Sequence, residues 1–250
     1  MIVASMTTVP SRIAHIRPAI DSILSQSITI DHLEINIPYE CVRTGERYAV
    51  PDWMAATRGL AIHRTRDYGS VTKIAPTLIR HASESDVFVW SCDDDFAYPR
   101  NQLELLWRRV PANGNKILTR HGGTVGSDGK LSFKYGEMPV TFFEGFGTVL
   151  YPPGCIGSDF LGYIERTSDY PDCRKSDDIV LSYYFALKGA PIFLCNSPSE
   201  EEPFYPTGGL AFSQDKDALM RQDGGHLARY GRALEYLRSN WPAPDGSGAL

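Results

Sequence analysis

Three consecutive carboxylates, Asp93-Asp94-Asp95, carry the strongest chemical signal in the chain. They follow Val87-Phe88-Val89-Trp90-Ser91-Cys92, a short apolar run that reads as a buried strand, and Tyr98-Pro99 stops any regular element soon after. The acids therefore fall on a tight turn at the carboxyl end of a central strand, where open α/β sheets bind ligands. Like charges about 4 Å apart repel by roughly 1 kcal/mol per pair in water and by about 4 kcal/mol at a partly buried site. Such a cluster calls for a compensating cation. Hard oxygen ligands with no thiolate pair nearby suit Mg²⁺ or Mn²⁺ completed by phosphate. The competing reading is a solvated acidic turn.

Four further segments could act with these acids. Thr7-Thr8-Val9-Pro10-Ser11-Arg12 follows the first predicted strand and so shares the sheet edge with the acidic turn. Its hydroxyls and amides could hold a base, ribose or phosphate, with Arg12 as the cation. Equally, Ser11 could be an ordinary helix cap. Asp67-Tyr68-Gly69-Ser70-Val71-Thr72-Lys73 lies between the third strand and the next helix. Gly69 permits a tight turn there. Lys73 falls near a helix N-terminus, where a positive charge is unfavourable unless an anion lies beside it; otherwise it is a solvated loop lysine. Lys175-Ser176-Asp177-Asp178 precedes the apolar run Ile179-Val180-Leu181-Ser182-Tyr183-Tyr184. Asp177 and Asp178 either cap that helix or supply a general base, since a carboxylate near a cation stays ionised at neutral pH. Asp177 comes first and is the better cap. Finally, Asp223-Gly224-Gly225-His226 opens the last helix, and His226 is either a late metal ligand or a structural histidine.

The elements that must position these residues follow from periodicity. Strands are predicted over 2–6, 33–37, 60–63 and 87–91, and helices over 16–24, 74–81 and 102–109. Pro18 and Pro76 fit only first helical turns. This alternation implies a mostly parallel, doubly wound sheet. The second half changes character. Strands are predicted over 116–119, 131–135, 140–143 and 192–194, with turns at Gly122-Gly123 and Asp128-Gly129. A glycine- and proline-rich aromatic loop spans 145–154. A helix covers 177–187, loop covers most of 197–215, an amphipathic helix covers 225–240, and a frayed tail follows from 242.

At 250 residues the chain is long enough for one large α/β domain or two small ones. A net charge of −5 without a basic block argues against nucleic acid or an anionic membrane surface as main partner. Five cysteines, an odd count with no CxxC spacing, argue against a disulfide framework and against zinc, and favour a reducing compartment. The apolar start, Met1 to Met6, lacks a basic flank and reads as a strand rather than a signal peptide. No apolar run approaches the roughly 18 residues of a membrane span. The expected location is cytoplasmic, with membrane association only through a partner or another domain.

Together these residues resemble the GT-A glycosyltransferases, small bacterial or viral members of the family 2 type. The likeness covers roughly residues 1–230 and rests on an ordered series. The Thr-Thr-Val-Pro-Ser-Arg loop comes first, then Gly69-Ser70-Val71-Thr72-Lys73, then Cys92-Asp93-Asp94-Asp95 as the DxD turn. Glu144-Gly145-Phe146-Gly147 with Tyr151-Pro152-Pro153 follows. Ser176-Asp177-Asp178-Ile179-Val180-Leu181-Ser182 then looks like the Glu-Asp-x-x-Leu-Ser signature around the catalytic base, and a terminal histidine closes the series. Asp177 stands where the family often has Glu, and Asp178 matches its Asp.

The resemblance implies a Rossmann-like doubly wound mixed sheet in a domain over 1–240. It divides into a nucleotide-sugar half over 1–110 and an acceptor half with the C-terminal helix over 111–240, leaving a flexible tail over 241–250. It implies a nucleotide-sugar donor, a UDP-sugar first, a glycan or other hydroxyl acceptor, and Mn²⁺ or Mg²⁺. Donor binding would fall to Thr7, Thr8, Val9, Pro10, Arg12, Tyr68, Gly69, Lys73, Asp93, Asp94 and Asp95. The metal would take Asp95, Asp93 and His226. Asp178, or else Asp177, would be the base of an inverting transfer. Phe146, Gly147 and Tyr151 would form the acceptor wall, the two aromatics stacking on a sugar or simply packing in the core. The chain could also be one domain of a larger glycosyltransferase. A nucleotidyltransferase acting on a sugar phosphate is the alternative, but the loop after the first strand lacks its glycines. A phosphohydrolase would want its nucleophilic acid on strand one. A non-catalytic nucleotide-sugar-binding module leaves the acid pair and the acidic turn together unexplained.

Overall fold

The computed structural model describes residues 1–126, 129–196, 210, 219, 225–242 and 250. The first half alternates strand and helix. It runs β1 (Ile2–Met6), α1 (Arg17–Leu24), β2 (His32–Pro38), β3 (Glu40–Cys41), β4 (Glu46–Arg47), α2 (Asp52–Ala55), β5 (Leu60–Thr65), a 3₁₀ turn (Gly69–Lys73), α3 (Ala75–Arg80), β6 (Phe88–Ser91), α4 (Gln102–Trp107) and α5 (Val110–Asn113). The second half is richer in short strands: β7 (Ile117–Thr119), β8 (Gly122–Val125), β9 (Leu131–Phe133), β10 (Gly136–Val140) and β11 (Phe142–Phe143). A 3₁₀ turn (Gly145–Gly147) leads to β12 (Val149–Tyr151), then α6 (Phe160–Ser168), α7 (Pro171–Arg174), α8 (Asp177–Leu187), β13 (Ile192–Asn196) and α9 (His226–Asn240).

Among the described residues, eight strands form the central sheet in the order β10-β13-β7-β12-β6-β1-β2-β5. β1 pairs in parallel with β2 and β6, and β2 with β5. β12 runs antiparallel between β6 and β7, so the sheet is mixed. Alternating side chains divide the core in two. Ile2, Ala4 and Met6 pack on the α1 and α4 face with Ile16, Ile20, Leu103 and Leu106, whereas Val3, Val87 and Val89 face α3, α6 and α8. Helices on both faces make β1 an interior strand, and all five of its residues are buried, as that position requires. α8 is buried nearly all round, from Ile179 through Phe185, which is why its sequence carries no polar stripe. The result is a doubly wound, Rossmann-like α/β domain with a short C-terminal helical segment.

This topology fixes the site. The chain leaves β1 toward β2 on one side, and β6 lies on the other, so a switch point opens between β1 and β6 at their carboxyl ends. Ser5 and Ser91 are in register there, placing Thr7 beside the acidic turn. Val149 is opposite both Ser91 and Thr119, so the 3₁₀ turn feeding β12 reaches the same edge.

Several sequence expectations change. The predicted loop over 145–154 contains β12, whose three residues are all buried. The predicted strand over 140–143 divides: Val140 ends β10 on the main sheet, while Phe142–Phe143 pairs with β8 in a three-stranded sheet β11-β8-β9. Gly122-Gly123 is not a turn but part of β8. A Cβ at Gly123 would lie 2.1 Å from the Ser132 carbonyl, and one at Gly122 2.3 Å from that of Phe142. The glycines allow neighbouring backbone to approach. Of the predicted loop over 197–215, only Leu210 belongs to the described residues after Asn196. The predicted tail also lies outside them apart from Pro242 and Leu250; Leu250 is buried and accepts a bond from Arg238 Nε at 3.1 Å. All five cysteines are free thiols. Among the described residues no helix is long and apolar enough to cross a membrane.

Candidate functional site

A cleft of about 1070 Å³ opens at the carboxyl edge of the sheet. Thr7, Thr8, Val9, Arg12, Gly69, Lys73, Asp93, Asp94, Asp95, Phe146, Asp177, Asp178 and His226 line it. Pro10, Tyr68 and Tyr151 do not. Tyr151 lies in β12 with 1 % exposure and meets Phe143 edge-on, so for this ring the core reading holds, not the sugar-stacking one. Tyr68 is likewise buried against the α6 side of the core.

The acids are compensated by the chain itself. Arg12 Nη1 lies 3.0 Å from Asp94 Oδ1 and 3.3 Å from Asp95 Oδ2. Thr8 Oγ1 donates to the other Asp94 oxygen at 2.6 Å. Lys73 Nζ lies 2.9 Å from Asp93 Oδ1 and 2.8 Å from Asp177 Oδ2. The anion that Lys73 required is therefore supplied by two of the protein's own carboxylates. Burial works against the Lys73 charge, but Asp177, Asp93 and Asp178 outweigh it and hold the ammonium firmly protonated. Compensation of the turn is incomplete. Burial, then Asp93 and Asp94, pushes Asp95 up to about 7 despite Arg12. Burial likewise raises Asp94, opposed by Arg12 and Thr8.

Asp178 sits at the centre of a second set of contacts. Its Oδ1 accepts the Gly145 amide at 2.7 Å, and its Oδ2 accepts the Tyr230 hydroxyl. Burial and the neighbouring Asp177 raise it well above the usual carboxylate range, with Lys73 and Tyr230 opposing. The cation beside it does not hold the carboxyl down: burial outweighs Lys73. Neither aspartate caps α8 through its side chain. Instead, Ser70 Oγ accepts the Asp177 amide at 3.1 Å, and the Asp177 carboxylate turns to Lys73. A Cβ on Gly145 would stand 2.7 Å from Lys73 Nζ and 3.0 Å from Asp178 Oδ1, so a larger residue where this loop crosses the two charges would displace one of them.

Glu144 and Tyr230 are among the cleft residues to which the sequence assigned no chemical role of their own. Glu144 carries a carboxyl pushed up to about 7 by burial and lies 3.7 Å from His226 Nε2. Tyr230 recurs at helical spacing with Leu227, Leu234 and Leu237, so its sequence signal is that of a core position. Only the packing of α9 on α8 brings its hydroxyl to Asp178. Phe146 stacks at a tilt on His121, with centroids 4.6 Å apart.

Two sets of residues could hold a cation. The acidic turn offers hard carboxylate oxygens, which fit Mg²⁺ or Mn²⁺. His226 is not gathered with Asp93 and Asp95. Among the described residues, the one group of three or more His, Cys, Asp or Glu with ligand atoms all within 4.8 Å is His32, Glu34 and His81. The mixed sheet and this candidate cluster are consistent with a broad metal-binding α/β enzyme fold. No protein-family model matches the chain, and no curated protein matches it.

Proposed function

We propose that the chain is a GT-A-type glycosyltransferase, moving a sugar from a nucleotide-sugar donor, a UDP-sugar first, to a hydroxyl of a glycan or similar acceptor. The observation that carries this reading is the Lys73 bridge. One ammonium touches both Asp93 on the acidic turn and Asp177 at the start of α8. The acidic turn and the start of α8, which also carries the proposed base Asp178, are thereby held in one cleft, as a direct displacement at an anomeric carbon needs.

In this reading residues 1–110 bind the donor. Thr7, Thr8 and Val9 line the nucleoside side of the switch point, with Arg12 behind them. Asp93 and Asp95 would hold Mn²⁺ or Mg²⁺, which when bound supplies charge neutralisation for the leaving nucleoside diphosphate. Residues 111–240 supply the acceptor side. Asp178 takes the proton of the acceptor hydroxyl while that oxygen attacks the anomeric carbon and the bond to the diphosphate oxygen breaks. Attack opposite the leaving group inverts the configuration. The Gly145 amide and the Tyr230 hydroxyl fix both oxygens of Asp178 and so orient it. A raised pKa makes the ionised form a stronger base. Phe146 offers an apolar face to a sugar ring.

A panel of UDP-, GDP-, dTDP- and CMP-sugars tests the proposal. One donor should raise the melting temperature in the presence of Mn²⁺ or Mg²⁺, and that donor should be slowly hydrolysed. If no nucleotide sugar shifts melting and none is cleaved with either metal, the proposal is wrong.

A further inference from the structure

We propose that His32, Glu34 and His81 form a second cation site, for a first-row transition ion of the Zn²⁺ type, with His63 of the edge strand β5 beside it. It lies outside the cleft and ties β2 to the end of α3. None of the three lines the cleft.

Three imidazoles converge on one carboxylate oxygen. Glu34 Oε1 lies 3.0 Å from His81 Nε2, 3.3 Å from His32 Nε2 and 3.6 Å from His63 Nε2. In a tetrahedral zinc site, with metal–ligand distances of about 2.0–2.1 Å, ligand atoms stand about 3.3–3.4 Å apart. The His81 and His32 contacts, at 3.0 and 3.3 Å, lie close to that spacing.

The imidazoles are not needed to answer the Glu34 charge. That charge is already met at its other oxygen, where Arg80 donates from Nε at 3.0 Å and also from Nη2. Arg80 is itself held by Asn36 Oδ1 at 2.7 Å and Thr77 Oγ1 at 2.9 Å. The two lone pairs of the remaining oxygen both face imidazole nitrogens, those of His81 and His32.

The outer contacts point the same way. His81 Nδ1 lies 2.9 Å from Glu84 Oε1, the carboxylate–histidine pairing that fixes a metal-bound imidazole with its other nitrogen free to ligate. Two imidazole nitrogens and one carboxylate oxygen select Zn²⁺, Co²⁺ or Ni²⁺ over Mg²⁺. The His32 side chain is 32 % exposed while Glu34 is 4 % exposed, so an ion can enter from solvent and meet a fixed carboxylate. Three protein ligands leave the fourth position to water. The cysteine spacing argues against zinc, but this set uses no cysteine. Its ligands are scattered over residues 32–81 without motif spacing, so no sequence pattern reveals it.

The test is Co²⁺ and Zn²⁺ titration of the chelator-treated full chain, made without affinity-tag histidines. One equivalent of Co²⁺ should give a visible d–d absorption band that Zn²⁺ abolishes. Zn²⁺ at about 100 times its dissociation constant should raise the melting temperature by roughly 5–10 °C. His32→Gln, at a partly exposed position, should lose the band. Glu84→Gln should weaken Co²⁺ binding by about 10–100-fold. Asp95→Asn, in the cleft, should keep the band. Absence of the band in the parent chain overturns the proposal. So does a band that survives His32→Gln unchanged, or one lost in Asp95→Asn, which would assign it to the acidic turn.

Discussion

Lys73 is the residue on which the cleft turns. It is buried, and its ammonium contacts carboxylates from two distant segments. A loop lysine could be replaced with little effect on folding. Here Lys73→Met leaves Asp93 and Asp177 without their cation, and breaking a buried pair from one side costs about 3–5 kcal/mol. The melting temperature of this variant should fall markedly even without ligand; an unchanged value would mean the acids are solvated. Asp178 gives the complementary prediction. Asp178→Asn keeps the shape but not the proton acceptor, and should lower kcat by about 10²–10⁴-fold with donor binding nearly intact. The groups facing Asp178 are Asp177, Lys73, Glu144, Tyr230 and the Gly145 amide. Burial raises its pKa, and the base works only when ionised, so kcat should rise with pH above the usual carboxylate range. The Tyr230 hydroxyl favours the charged form, so Tyr230→Phe should move that rising limb to higher pH. A flat pH–rate profile for both proteins would take Asp178 out of the chemistry.

At the scale of elements, the sequence was readable where one period dominates. β1, α1, β2, β5, α3, β6 and α8 follow from apolar runs and from prolines confined to first turns. What stayed hidden did so for physical reasons. β12 is three residues long and lies between Gly147 and Pro152, so its pairing with β6 and β7 overrides local turn chemistry. α6 buries Phe160, Tyr163, Ile164, Thr167 and Ser168 at helical spacing, but its last two inward residues are polar and break the apolar stripe. The loop that joins β11 to β12 is held by contacts no periodicity encodes. Gly145→Ala tests them directly. The added methyl meets Lys73 Nζ and Asp178 Oδ1, and overpacking of this kind typically costs about 1–3 kcal/mol. The variant should melt lower and lose activity, because either Lys73 or Asp178 must move. Parent-like melting and kcat would show that the loop yields instead.

At the scale of the molecule, the site was legible as a set of segments but not as a circuit of charge. The sequence places the acidic turn and the Thr7–Arg12 loop at one sheet edge, but it does not say that Arg12 and Lys73 already answer the acids. That arrangement has a consequence for binding. A nucleoside diphosphate brought alone to Asp93, Asp94 and Asp95 adds negative charge to a turn whose cations are engaged. A divalent ion brought alone must compete with Arg12 and Lys73. Brought together, each ligand neutralises the other, so the two should bind cooperatively, and the coupling must be reciprocal. Typical couplings of about 1–3 kcal/mol correspond to roughly 5–150-fold. The dissociation constant of UDP, or of whichever nucleotide the donor panel selects, should fall by such a factor in saturating Mg²⁺. That of Mg²⁺ should fall by the same factor in saturating nucleotide. Mg²⁺ is the right probe because imidazole nitrogens bind it poorly, which keeps the His32–Glu34–His81 cluster out of the titration. Asp95→Asn should leave weak nucleotide binding in place and remove most of the coupling. Calorimetric titration in each order measures both constants. Equal nucleotide affinity with and without Mg²⁺ in the parent chain would mean that the acidic turn answers only to Arg12 and Lys73, as a structural charge cluster.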